Sequence, residues 1–277
     1  MIKIFFSLGF VVSFLLLCST ETYSQKLKAE EIISKNMDSI ANKQTREKLK
    51  NYFAVGFTEF ASKLPEKKAA GKIVLVSDVN NFYFLSSFNS KEYPFEKIGY
   101  FSEKVNLPFV IAGARSPLGT FILEHQNILS DGLIGGAMTM RWTLNKGKFV
   151  SAGTKKIDNQ KAYVIEYYSD ITSQEVSVKL FFDAETFRHV RTEYRHTIAE
   201  KQARFGALGQ VSGLKQAVIE DFGDFKTVEG ITLPHSYKIQ YSTDSSDGLY
   251  EYNWAINITK YYFNQNLDAN FYTFDVK

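Results

Sequence analysis

Between residues 27 and 50 (LKAEEIISKNMDSIANKQTREKLK) apolar side chains recur at three- and four-residue steps: Ala29, Ile32, Ile33, Met37, Ile40 and Ala41, with Lys, Glu, Asp and Asn between them. That spacing predicts an amphipathic helix with one apolar stripe. Thr45 is placed to cap a second short helical stretch through Lys50. From Asn51 the period falls to two. Phe53, Val55 and Phe57 alternate with smaller residues, and Pro65 and Gly71 bound a loop. Ile73–Asp78 and Phe82–Phe88 follow, joined at Asn80-Asn81, a credible turn pair, and Lys97–Ser102 is another short strand. In the second half the alternation is cleaner. Tyr163, Ile165 and Tyr167 share a face, as do Val176, Val178, Leu180 and Phe182; so do His235, Tyr237, Ile239 and Tyr241, and Tyr250, Tyr252, Trp254, Ile256 and Ile258. One apolar and one polar face per strand is the mark of a half-buried antiparallel sheet. The pattern predicts about eleven strands in a meander, interrupted by a Gly-rich loop at 199–215.

Residues 103–146 break the β rhythm. Ser116-Pro117 is a helix start, Ser as cap and Pro at the first position, and Leu118, Phe121, Ile122 and Leu129 lie near one another on a helical wheel. Gly132, Gly135 and Gly136 follow where the backbone must turn or approach another element. A curved sheet needs cover on its concave face. The N-terminal helix supplies part of it and this insert the rest, through Leu107, Phe109, Val110, Ile111, Phe121, Ile122, Leu133, Met138, Met140 and Trp142. Met with aromatics suits a pocket for flexible apolar ligands. An ordinary core covered by two helices accounts for the same residues.

Residues 1–24 (MIKIFFSLGFVVSFLLLCSTETYS) have the layout of a secretory signal peptide: Lys3, an apolar run from Ile4 to Leu17, then small residues Thr22 and Ser24 before a cleavage point at Gln25. The run is short for a membrane span. Export follows, to the periplasm if the resemblance given below holds, with a lipid anchor on Cys18 as the alternative; Leu17 before that Cys departs from the usual lipoprotein signal. The 277-residue chain is 15% aromatic, carries a net charge of +3 and has one Cys, which excludes a disulfide scaffold, a Cys-based zinc site and a disordered tail. The Lys pairs at 67–68 and 155–156 are isolated, and there is no basic stripe for nucleic acid.

Little in the sequence points to catalysis. The four His are His125, His189, His196 and His235, none in a metalloprotease pattern. His189 and His196, seven apart on a strand, are expected on opposite faces and unable to share a metal. There is no nucleophile elbow and no phosphate loop, and no cofactor or metal is expected. Glu220, Asp221 and Asp224 read as solvated charges at a strand end. Clustering of Asp221, Asp224 and His235 in one cleft would favour a hydrolase.

Three stretches resemble the LolA/LolB-like outer-membrane lipoprotein-sorting, or lipoprotein-carrier, family of the Gram-negative envelope. AEEIISKNMDSIANKQTREKLKNY is similar to that family's opening helix, and RSPLGTFILEHQNILSDGLIGGAMTMRW to its helical lid. The C-terminal DFGDFKTVEGITLPHSYKIQY and INITKYYFNQNLDANFYTFD resemble its closing strands. The resemblance implies a mainly β fold with some α, an incomplete antiparallel β-barrel closed by the N-terminal helix and a helical lid at about 103–146. It implies a single domain over 25–277 after the signal peptide. It further implies non-catalytic binding of a lipid or lipoprotein acyl chain in a hydrophobic cavity, with an inner- or outer-membrane protein as delivery partner and a monomeric carrier. Cavity and lid residues would be Leu107, Phe109, Ile111, Leu118, Phe121, Ile122, Leu133, Met138, Met140, Trp142 and Trp254. The other readings are a non-transporting structural or interaction module and, further off, the hydrolase.

Overall fold

The structure is a computed structural model that describes residues 27–144, 147–170, 176–198, 213–246, 248–267 and 272. The expected signal peptide with Cys18, and residues 199–212 of the expected Gly-rich loop, lie outside the described residues.

Helix α1 (Ala29–Ile40) opens with Glu31 accepting from the Lys28 backbone N–H at 2.9 Å. The short α2 (Lys43–Lys48) is capped by Asn42, whose side chain accepts the Thr45 N–H at 2.9 Å. Thr45 is therefore the capped position and not the cap. Five strands follow: β1 (Asn51–Lys63), β2 (Glu66–Asp78), β3 (Phe82–Phe88), β4 (Phe95–Phe101) and β5 (Lys104–Asn106). After the insert come seven more: β6 (Lys148–Ile157), β7 (Gln160–Tyr168), β8 (Val176–Asp183), β9 (His189–Ile198), β10 (Leu214–Val228), β11 (Ile231–Ser245) and β12 (Gly248–Phe263).

All twelve form one antiparallel sheet in the order β5-β4-β3-β2-β1-β12-β11-β10-β9-β8-β7-β6. Each half is a meander, and the halves join where β1 pairs with β12, from Tyr52 opposite Phe263 to Ser62 opposite Tyr252. The sheet does not close: β5 and β6 are its two edges. The incomplete barrel implied by the resemblance is thus present, with twelve strands where the pattern suggested about eleven. This order also explains the insert. The chain leaves the sheet at one edge and must re-enter at the other, and between them residues 107–144 pack their apolar side chains onto its core face.

Alternation sorts the side chains as expected through the second half. Val178, Leu180 and Phe182, then Tyr237, Ile239 and Tyr241, then Trp254, Ile256 and Ile258 enter one continuous core, which α1 joins through Ala29, Ile32 and Ile40. In β1 the faces are reversed from a simple hydrophobicity reading. Tyr52, Ala54, Thr58, Phe60 and Ser62 are buried, whereas Phe57 is 59% exposed and Phe53 packs edge-on to Tyr262 on the outer side. Periodicity shows which residues share a face but not which face is inside. A second departure lies at His189. The β8–β9 register shifts between Phe181 and Phe182, so His189 and His196 are both buried on the core side despite their odd separation.

Candidate functional site

After β5 the chain forms a narrow loop. Val110 N–H donates to the Ala114 carbonyl at 2.9 Å and Ala114 N–H to that of Ile111 at 3.0 Å. Arg115 Nε clamps the base by donating to the Leu107 carbonyl at 2.7 Å, and its guanidinium lies 4.3 Å from the Phe109 ring centroid. Phe109 and Ile111 project from this loop, 52% and 50% exposed.

Three short helices follow. In α3 (Pro117–Glu124) Ser116 accepts the Gly119 N–H at 2.8 Å, the cap that Ser-Pro predicts. Leu118, Phe121 and Ile122 point into the core. Next come α4 (Asn127–Ser130) and α5 (Gly136–Thr139), then a 3₁₀ turn at Arg141–Leu144. Gly132 and Gly135 hold positive φ between the helices, at 71° and 68°. A Cβ on Gly132 would stand 2.5 Å from that of Arg141, so the turn could not pack with any larger residue. Trp142 donates Nε1–H to the Gly136 carbonyl at 3.0 Å and packs against Phe149, Phe182 and His189.

Leu107, Leu118, Phe121, Ile122, Leu133, Met138, Trp142 and Trp254 are therefore all buried in one core cluster, with Met140 packed at its margin. Phe109 and Ile111 stand outside it. The insert fills the hollow of the sheet as a plug. An apolar cavity of about 210 Å³ lies beside it, lined by Phe60, Tyr93, Trp254, Val110 and Ile111 together with Lys67, Glu92 and Arg115. A far larger groove of about 1490 Å³ runs past the β2–β3 turn, the β4–β5 hairpin and the outer side of α3 and α4. Its lining mixes Glu103, Glu124, Asp131, Asp170 and Arg141 with Val79, Phe101, Val105, Leu123 and Leu144, so it is more polar than a dedicated hydrocarbon pocket.

The plug is fastened by two carboxyls that the apolar pattern did not single out. Glu96, on β4, accepts from Ser116 Oγ at 2.7 Å and from the Tyr93 hydroxyl, which in turn accepts from Trp254 Nε1 at 3.0 Å. Glu220, on β10, accepts the backbone N–H of Gly135 at 2.9 Å, the Tyr194 hydroxyl at 2.7 Å and the Tyr237 hydroxyl. Burial pushes each carboxyl up from 4.5 to about 7, and the donors oppose that rise. Glu220 is thus no solvated strand-end charge, because it faces inward between Val218 and Phe222. A carboxyl at the apolar parity of a strand was the available signal. Its neighbour Asp221 faces the other way and pairs with Arg191 at 2.5 Å, and Asp224 pairs with Lys226 at 2.6 Å. His235 is buried, with Nδ1 2.8 Å from the Ile258 carbonyl. Asp221 and Asp224 are thus each held by a cation, while the His235 ring is buried on a backbone carbonyl. His189 sits among Trp142, Phe182 and Phe222, and burial drives it down to about 3, so it is neutral at ordinary pH.

No family model and no curated protein matches the chain. Among solved structures, it is similar to an outer membrane lipoprotein-sorting protein domain from Vibrio parahaemolyticus, at 11% identity over 88% of this chain and 97% of that one, with a TM-score of 0.45. A DUF1329 family protein from Desulfovibrio piger matches at 9% identity over 88% and 97%, with a TM-score of 0.43. A chain of the Pseudomonas aeruginosa MucA/MucB complex matches at 7% identity over 83% and 93%, with a TM-score of 0.24. At these values the fold assignment rests on the strand order, the two open edges and the plug. Among the described residues, no helix is long and apolar enough to cross a membrane.

Proposed function

We propose that the protein is an exported, non-catalytic carrier that binds an acyl chain of a lipid or lipoprotein inside the half-barrel formed by residues 25–277. The observation that carries this reading is the plug itself. One contiguous insert supplies the apolar filling of an open sheet, is tied down at two polar points, and leaves an aromatic-lined cavity beside an exposed apolar loop. A chain entering that cavity gains roughly 0.8 kcal/mol for each CH₂ taken from water. Full entry displaces Leu133, Met138 and their neighbours, whose own burial opposes the ligand and keeps release feasible. The N-terminal segment fits delivery to the periplasm, and a membrane protein at either side would serve as donor or acceptor.

Native mass spectrometry of the purified protein, together with titration of a fluorescent acyl-chain probe, tests the reading. Saturable binding is expected. Ile111→Asp in the lining of the cavity should weaken it at least several-fold with the fold intact, because that side chain is half exposed. Absence of saturable uptake by the folded protein would sink the proposal. The completeness of the packing around Phe121 and Trp142 favours a second reading, a non-transporting interaction module of the envelope with a permanently filled core. That reading requires the same experiments to show neither co-purified lipid nor probe uptake.

A further inference from the structure

Among the described residues, three carboxyls are buried. Glu193 bonds Arg195 at 3.0 Å and lies within 4.0 Å of Lys155, whereas Glu96 and Glu220 face the core. Both inward carboxyls accept a hydrogen bond from the insert. At Glu220 the donor is a backbone amide, Gly135 N–H, presented by a left-handed residue between Ile134 and Gly136. Against Gly135 stand the Thr139 methyl, Phe82 and Met138, all three buried. Chemically, the plug offers Glu220 one amide donor beside the two phenol hydroxyls of the sheet, in otherwise apolar surroundings.

We propose that Glu220 is a specificity-determining acceptor, so that the chain is selective for an apolar ligand carrying a hydrogen-bond donor, an amide N–H or a hydroxyl, within its buried part. This rests on the carrier reading above. If a ligand takes the place of the plug, Glu220 keeps its two phenol donors, Tyr194 and Tyr237, and loses Gly135. A carboxylate has room for about four hydrogen bonds, and one buried away from water loses stability when a charge-assisted donor leaves without replacement. A pure hydrocarbon or an ester chain supplies no donor. A ligand that placed its own ionised carboxylate there would add like-charge repulsion. An acyl amide or a hydroxylated chain restores what Gly135 gave, in the same apolar surroundings.

Two isosteric probes test this on the full-length mature chain: N-methyltetradecanamide, with one N–H, and methyl tetradecanoate, with an oxygen in its place. Each is titrated at pH 8.5, where Glu220, which burial lifts to about 7, is ionised, in competition with the fluorescent acyl-chain probe against the wild type and against Glu220→Leu. The wild type is expected to bind the amide about tenfold or more tightly than the ester, as one charge-assisted hydrogen bond implies. Glu220→Leu should erase that preference while both probes still bind. Equal affinity of the two probes for the wild type would overturn this inference and leave the carrier reading standing. A preference that survives in Glu220→Leu would overturn the assignment to Glu220. Failure of every probe to bind the wild type would overturn the carrier reading and this inference with it. Should Glu220→Leu fail to fold, the wild-type comparison still decides between equal and unequal affinity.

Discussion

Replacing Glu220 with Gln should make the protein more stable at high pH and leave it nearly unchanged in acid. Burial lifts this carboxyl from 4.5 to about 7. Between those values the folded protein holds a proton that the unfolded chain has released. The stability contributed by this proton is therefore complete below pH 4.5 and is lost as pH rises through 7. A difference of about 2.5 in pKa corresponds to about 3 kcal/mol. Gln keeps the volume and an acceptor for the Gly135 N–H but cannot ionise. Relative to wild type, Glu220→Gln should gain up to about 3 kcal/mol between pH 4.5 and pH 8. The raw pH profile of the wild type cannot show this alone. Glu96 acts in the same sense, while His189, held at about 3, weakens the fold as pH falls below 6.5. Taking the difference between variant and wild type cancels both. Urea unfolding at several pH values, followed by fluorescence of the buried Trp142 and Trp254, gives the numbers. A difference that stays constant from pH 4.5 to 8, or that grows toward acid, would refute the account of Glu220 as a buried carboxyl whose ionisation destabilises the fold.

Three further substitutions probe the architecture by thermal or urea unfolding. Ser116→Ala removes the α3 cap and one of the two donors on Glu96, and should cost about 1–2 kcal/mol. Gly56→Ala should cost more than about 2 kcal/mol, because its Cβ would fall 1.9 Å from the Asn257 carbonyl oxygen of the paired strand. Trp142→Ala should cost about 3–5 kcal/mol by opening a cavity between the plug and β8; a small loss there would mean that the plug is loosely held.

The sheet was largely legible because its strands alternate cleanly and their turns carry local chemistry. Asp78 accepts the N–H groups of Asn80 and Asn81 at 2.8 and 2.7 Å, at a turn that the sequence places correctly, and Asp183 accepts that of Thr186 at 2.7 Å in the turn between β8 and β9. Ser116 was legible as a cap for the same reason. Three features escaped. The inward face of β1 carries Ala54, Thr58 and Ser62, so hydrophobicity pointed to the wrong side. The bulge that turns His189 inward is a register event between two strands and leaves no trace in either alone. Glu96 and Glu220 look like ordinary strand charges until their partners are known, and those partners lie 20 and 85 residues away. Most apolar residues of the insert are buried, whereas Val110 and Met140 are half-buried and Phe109 and Ile111 stand clear of the core.

An open sheet has a cost that a closed barrel escapes, since each free edge is a template for another strand. Here β5 offers only three residues, Lys104–Asn106. The other edge, β6, is ten residues long, and it is bent by a bulge between Ser151 and Gly153 and carries Lys148, Lys155 and Lys156. Any strand that docked there would have to bury those ammonium groups and straighten the bulge. The same gap that lets the insert pack onto the core face is thereby guarded against invasion by a second chain, which bears on how such a protein stays dispersed at high local concentration.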